Sequence, residues 1–144
     1  MPLLTDRDEV AVRKEFEKLA GPVKLVVFSQ ELSAAAELCR QNESLVREVA
    51  ALAPDTVSVE VLNISVDRDR AAGYGIDRVP AIVVEGSRDY GIRFLGIPSG
   101  YEFSNLIDAT ILASSGQPGL TAETQAALAG LADDIDIKVF STPT

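Results

Sequence analysis

Few side chains in this sequence are equipped for covalent chemistry. The 144 residues include one cysteine, Cys39, and no histidine. One thiol makes no internal disulfide. A chain without imidazole has no Ser–His or Cys–His dyad and lacks the commonest zinc ligand. Two readings of Cys39 remain. It is either a small buried hydrophobe or a lone redox-sensing thiol, and the second requires exposure and a cationic neighbour such as Arg40. The carboxylates Asp133, Asp134 and Asp136 lack the glycine and distal glutamate of a calcium loop, so they read as a solvated connector and no metal site is expected. Gly73, Gly75 and Gly86 do not form a phosphate-binding fingerprint and read as turn residues, so no cofactor is expected either.

Charge narrows the partners. Thirteen basic and 22 acidic residues leave a net charge of −9, and the basic ones are dispersed. Nucleic-acid binding needs clustered cations facing phosphates, so it is not expected. No apolar run approaches the roughly 20 residues that span a bilayer. The amino terminus, MPLLTDRDEV, has no basic segment followed by an apolar one, so the expectation is a soluble, cytoplasmic protein without a membrane partner.

The elements that must position any site follow from periodicity. Thr5 to Leu19 predicts a helix capped by Thr5 and Asp8, with Val10, Phe16 and Leu19 on its apolar face, ended by Gly21-Pro22. Val23 to Ser29 is β-branched and nearly all apolar, the pattern of a strand buried on both faces. A helix is expected over Leu32 to Ala53, with Leu38, Leu45, Val49 and Leu52 inward, and then an alternating strand over Thr56 to Asn63. Asp67 to Arg70 read as the charged first turn of a short helix ending near Tyr74. Pro80 to Gly86 and Asp89 to Gly96 form a hairpin pair, and a helix over Tyr101 to Ala113 covers the sheet with Phe103, Leu106 and Ile107. After a loop at Ser114 to Gly119, a helix over Thr121 to Leu131 and an apolar strand over Ile135 to Ser141 repeat the opening helix–strand order. The first eight elements specify a three-layer α/β unit around a mixed four-stranded sheet.

Two segments carry a resemblance. GIDRVPAIVVEG, Gly75 to Gly86, resembles the residues around the cis-proline of thioredoxin-fold proteins. FLGIPSGYEFSNLI, Phe94 to Ile107, is similar to the Gly-x-Pro-x-Gly-x-Glu-Phe turn in the first half of the glutaredoxin-like protein disulfide oxidoreductases. The amino-terminal domain of the alkyl hydroperoxide reductase flavoprotein subunit has a related turn. Both families consist of two fused thioredoxin-fold units, and the likeness covers nearly the whole chain. It implies a thioredoxin-like unit over 1–115. It also implies that 116–144 hold the linker, helix and first strand of a second unit, with STPT, Ser141 to Thr144, matching the lead-in to that unit's Cys-Pro-x-Cys.

The same resemblance locates what is missing. The family's Cys-x-x-Cys falls on Ser33, Ala34, Ala35 and Ala36, so the two thiol positions, Ser33 and Ala36, are degenerate and no catalytic residue is expected. Exchange needs a thiolate at a helix start and a second thiol to resolve the mixed disulfide. A serine hydroxyl with no histidine to activate it does not substitute, and Ser33 reads as a helix cap or first-turn residue. Pro80 is expected to be cis, leaving Val79 to pair its backbone with an extended peptide. The implied function is a non-catalytic unit of a disulfide oxidoreductase or peroxide-reducing system, supporting a catalytic second unit and meeting protein thiol or disulfide partners. The alternative is a standalone peptide-binding or dimerisation module, in which Ile135 to Phe140 pairs with another chain.

Overall fold

The computed structural model describes residues 3–32 and 34–142 of the chain. Its centre is β1 (Val23–Ser29), which pairs in parallel with β2 (Val57–Asn63) on one side and antiparallel with β3 (Ala81–Glu85) on the other. β4 (Asp89–Leu95) completes the order β2-β1-β3-β4 by an antiparallel pairing with β3. This is the mixed four-stranded sheet that the resemblance implies.

Because side chains alternate across a strand, β1 serves two cores. Leu25 and Val27, with Ile82 and Val84 of β3, face a layer built from α1 (Asp6–Phe16), α2 (Ala36–Ala51) and α4 (Tyr101–Ser115). Val26 and Phe28, with Ala81 and Val83, face Ala71 of α3 (Arg68–Tyr74) and Ile76 just after its cap. All of these β1 side chains are fully buried, and each contributes roughly 2 kcal/mol of hydrophobic stabilisation. Gly86 lets α4 close on the hairpin: a Cβ there would lie 2.0 Å from the Ala113 carbonyl oxygen, so a larger residue forces the helix away.

α3 is too short to cover its face of the sheet, and an ionic layer covers the rest. Lys24 lies 3.5 Å from both Glu60 and Glu85, Arg70 donates two hydrogen bonds to Glu60, and Tyr74 donates to Glu85 at 2.8 Å. Arg93 donates twice to Asp89 and once to the Tyr74 carbonyl, and its guanidinium and that of Arg70 both lie over the Tyr74 ring. The Arg70 hydrogen bonds hold the Glu60 carboxyl below its ordinary value, and the Arg93 hydrogen bonds do the same for Asp89. Burial alone would lower the Lys24 ammonium, but the charges of Glu85 and Glu60 outweigh it and hold it above its usual range.

Several details differ from the sequence-based expectation. In α1, Thr5 and Asp8 form a reciprocal capping box, but Val10 is exposed and Val12 takes its place beside Phe16. α2 begins at Ala36, four residues later than expected, and its N-cap, Ala35, makes no side-chain capping bond. Its buried stripe runs through Cys39, Asn42, Leu45, Val46 and Val49, so Leu45 and Val49 face inward as expected while Leu38 is half exposed one position off the stripe. α5 (Ala122–Ala129) is capped by Thr121 as expected, yet it buries no residue. Residues 130–142 form no strand, since neither sheet edge pairs with them and an extended segment without a ladder has no partner for its backbone. Pro143 and Thr144, the end of the STPT lead-in, lie outside the described residues. No helix among the described residues is long and apolar enough to cross a membrane.

Two tests follow from this packing. Asn42 is 0 % exposed, and neither atom of its amide has a hydrogen-bond partner among the described residues. Asn42→Leu, nearly isosteric, is therefore expected to raise the unfolding free energy by about 1–3 kcal/mol in urea titration, and a destabilised variant would reveal a partner for the amide. The ionic layer sets the acid response. Both carboxyls are depressed in the fold, so their contribution is complete above the ordinary values of 4.5 for Glu60 and 3.8 for Asp89, and it is lost as pH falls through the lowered ones. Urea midpoints should drop on acidification through that window and drop less in Glu60→Gln. An unchanged slope in that variant would show that the layer does not govern acid stability.

Candidate functional site

β1, β2 and β4 run in the same direction, so their carboxyl ends meet at one edge of the sheet together with the start of β3. The Phe28–Ala81 pairing brings Pro80 beside the end of β1, where the chain enters the turn toward α2. Neighbouring backbone fixes this junction. The Ile64 N–H donates to the Ser29 carbonyl at 3.0 Å, and the Gly96 N–H to the Pro80 carbonyl at 2.8 Å. The Val79–Pro80 bond is cis, as expected from sequence, and Pro80 is buried. Val79 is half-buried against the Val26–Phe28 core, and neither its N–H nor its carbonyl has a hydrogen-bond partner among the described residues.

The turn itself presents methyl groups. Ala34 is exposed and Ala35 and Ala36 are half-buried where α2 begins. Ser33 lies outside the described residues. The turn that leads to Ala36 leaves β1 at the end where Phe28 pairs with Ala81, next to Pro80. Cys39 sits deeper in α2, 1 % exposed, with its N–H donating to the Ala35 carbonyl at 2.9 Å. Arg40, the cation a reactive Cys39 would need, is instead 2.5 Å from Glu37, and its hydrogen bond holds that carboxyl below its usual range. Burial and this pairing favour the buried-hydrophobe reading of Cys39.

Apolar side chains surround the edge. Leu32, in the turn before Ala34, is 97 % exposed, and Val66, in the loop before α3, and Tyr101, the first residue of α4, are largely exposed too. On the α3 side a shallow groove of about 670 Å³ runs from Gln30 and Ser65, joined by a 2.8 Å hydrogen bond, past Arg68 to Ile76 and Asp77. The Ile97–Gly100 turn, which carries much of the resemblance, lines a different cavity of about 470 Å³ with Leu4, Leu45 and Phe103, and none of Ala34, Val79 or Pro80 reaches it. Sequence alone does not single out Gln30, Arg68 or Asn42. Their only signals are a polar residue just after a buried strand, an arginine inside a charged turn, and an amide three residues from Cys39.

The carboxylates Asp133, Asp134 and Asp136 are exposed on the carboxyl-terminal segment, where Asp136 pairs with Lys138 at 3.0 Å.

Known proteins resemble this chain in sequence and fold. The chain is 34% identical over 89 residues to the "Probable Thioredoxin" of Methanothermobacter marburgensis, covering 62% of this chain and 96% of that protein. It is 38% identical over 61 residues to a thioredoxin of Methanocaldococcus jannaschii, 42% of this chain and 67% of the other. Among solved structures, the alkylhydroperoxide reductase AhpF of Enterococcus faecalis superposes with a TM-score of 0.78 at 25% identity, over 89% of this chain and 61% of that one. A protein disulfide oxidoreductase of Aeropyrum pernix superposes with a TM-score of 0.75 at 23% identity, over 88% and 55%, and shares the fold. The chain thus spans about three fifths of the length of these two structures. No protein-family model matches it. Sequence kinship over nearly the full length of one relative, the α/β topology and the placement of Pro80 at the end of β1 converge: the chain belongs to the thioredoxin family.

Proposed function

We propose that this chain is a non-catalytic thioredoxin-fold unit of a disulfide oxidoreductase or peroxide-reducing system. It holds an extended protein segment for a catalytic partner unit. The observation that carries this reading is the contrast at one edge of the sheet. Alanine methyls occupy the start of α2, where exchange needs thiols, while Val79 beside them keeps a backbone N–H and carbonyl without partners among the described residues. The first condition removes nucleophile and resolving thiol together. The second preserves what strand addition requires, and the exposed Leu32, Val66 and Tyr101 supply apolar contact for a protein partner.

In this reading residues 1–115 are the binding unit, and 116–144 lead into a second thioredoxin-fold unit. Support comes from the exposure of every described residue after Gly116, including Leu128, Ile135, Ile137, Val139 and Phe140, an apolar series that packs against nothing in this unit. The greater length of the solved relatives agrees with it. The cytoplasm is the compartment we assign, since an unpaired cysteine stays reduced there. The same apolar series favours a second reading, a module that dimerises through residues 135–140. Gel filtration separates the two: a monomer at high concentration removes the dimer.

The chain should reduce insulin disulfides no faster than dithiothreitol alone. Ser33→Cys combined with Ala36→Cys should raise that rate at least about tenfold, by placing two thiols at the helix start. Turnover by the unaltered chain would overturn the non-catalytic reading. A folded but inert double variant would show that the thiol positions of the family do not map to residues 33 and 36.

A further inference from the structure

Arg68 stands apart from the arginines around it. Arg70, Arg78 and Arg93 are each bidentate on a carboxylate, of Glu60, Asp77 and Asp89 respectively. Arg68 meets no carboxylate among the described residues, and its Nε donates to the Ser65 carbonyl at 2.9 Å. That single bond fixes the stem of the guanidinium at the lip of the groove and leaves its terminal N–H donors for another acceptor. The acids nearest in sequence do not claim it. Asp67 accepts from the Asn63 N–H at 2.8 Å, Asp77 is held by Arg78, and Asp69 makes no hydrogen bond to it. Beneath Arg68 the groove floor is apolar, formed by Ile64, Ala71 and Ile76, and it ends at Asp77, two residues before Val79.

We propose that this groove makes the site selective for extended peptides bearing a carboxylate, a Glu or Asp side chain, which Arg68 grips while the peptide backbone pairs with Val79. The proposal rests on the peptide-binding reading above. A planar guanidinium matches a carboxylate with two parallel hydrogen bonds, a geometry that an ammonium does not reproduce. The Ser65 tether orients the fork in advance, so less side-chain freedom is lost on binding. A chain of net charge −9 repels acidic peptides at long range, which makes the attraction a property of this one spot rather than of the surface as a whole.

The test uses the full chain and capped eight-residue peptides of alternating valine and serine, with Glu, Gln or Lys placed in turn at each position. Calorimetry should find one position at which the Glu peptide binds about tenfold tighter than its Gln twin. Arg68→Gln should bring the Glu peptide down to the level of the Gln peptide, Arg68→Lys should keep part of the preference, and Arg68→Glu should turn it toward the Lys peptide. As a readout free of substitutions, the Arg68 Nε–H resonance should shift with the Glu peptide and not with the Gln peptide. Equal affinity for Glu and Gln peptides at every position would overturn the selectivity and leave the peptide site standing. Failure of every peptide to bind would remove both.

Discussion

β1 is paired on both edges and buried on both faces, and the geometry of the site hangs on its register. Phe28 opposite Ala81 and Ser29 opposite Asn63 decide which residues arrive together at the carboxyl edge. A slip of one residue would exchange the Leu25–Val27 set with the Val26–Phe28 set. It would also move Pro80 off the end of the strand. The two cores therefore do more than stabilise. They hold a short stretch of turn and a proline opposite each other, with backbone hydrogen bonds from Ile64 and Gly96 closing the sides.

At that junction the fold keeps the architecture of the family, with alanine at the start of α2. A helix start favours a thiolate because its first N–H groups and dipole stabilise negative charge. α2 presents those groups behind alanine, which has nothing to ionise. The one thiol in the chain, Cys39, lies a helical turn further in and is buried. In the proposed function, what this edge offers is shape, apolar contact and main-chain hydrogen bonding, which suits a unit that presents substrates rather than converts them.

Sequence patterns locate the four strands to within a residue or so, because an uninterrupted β-branched run such as Val23–Ser29 has few alternatives. Helix starts are less legible. Nothing local distinguishes Leu32 from Ala36 as the first residue of α2, since the helix starts without a side-chain cap to mark it. The inward stripe of α2 departs from expectation in part. Of the expected Leu38, Leu45, Val49 and Leu52, only Leu38 turns outward, and Cys39, Asn42 and Val46 join the buried face. Pro80 is visible through likeness to a family. Arg68 is not, because whether an arginine is paired depends on which carboxylates the fold brings near it. The strand expected over residues 135–141 fails on a nonlocal condition, the lack of an edge to pair with.

The direction of α4 has a consequence for any larger assembly. The helix starts at Tyr101, beside the carboxyl edge, and runs 15 residues, about 22 Å, to the opposite rim, where its last turn abuts Gly21 and Gly86. Whatever follows Gly116 is thus suspended from the floor of the unit rather than its ceiling. A segment attached there has to span the full height of the sheet before it reaches Pro80.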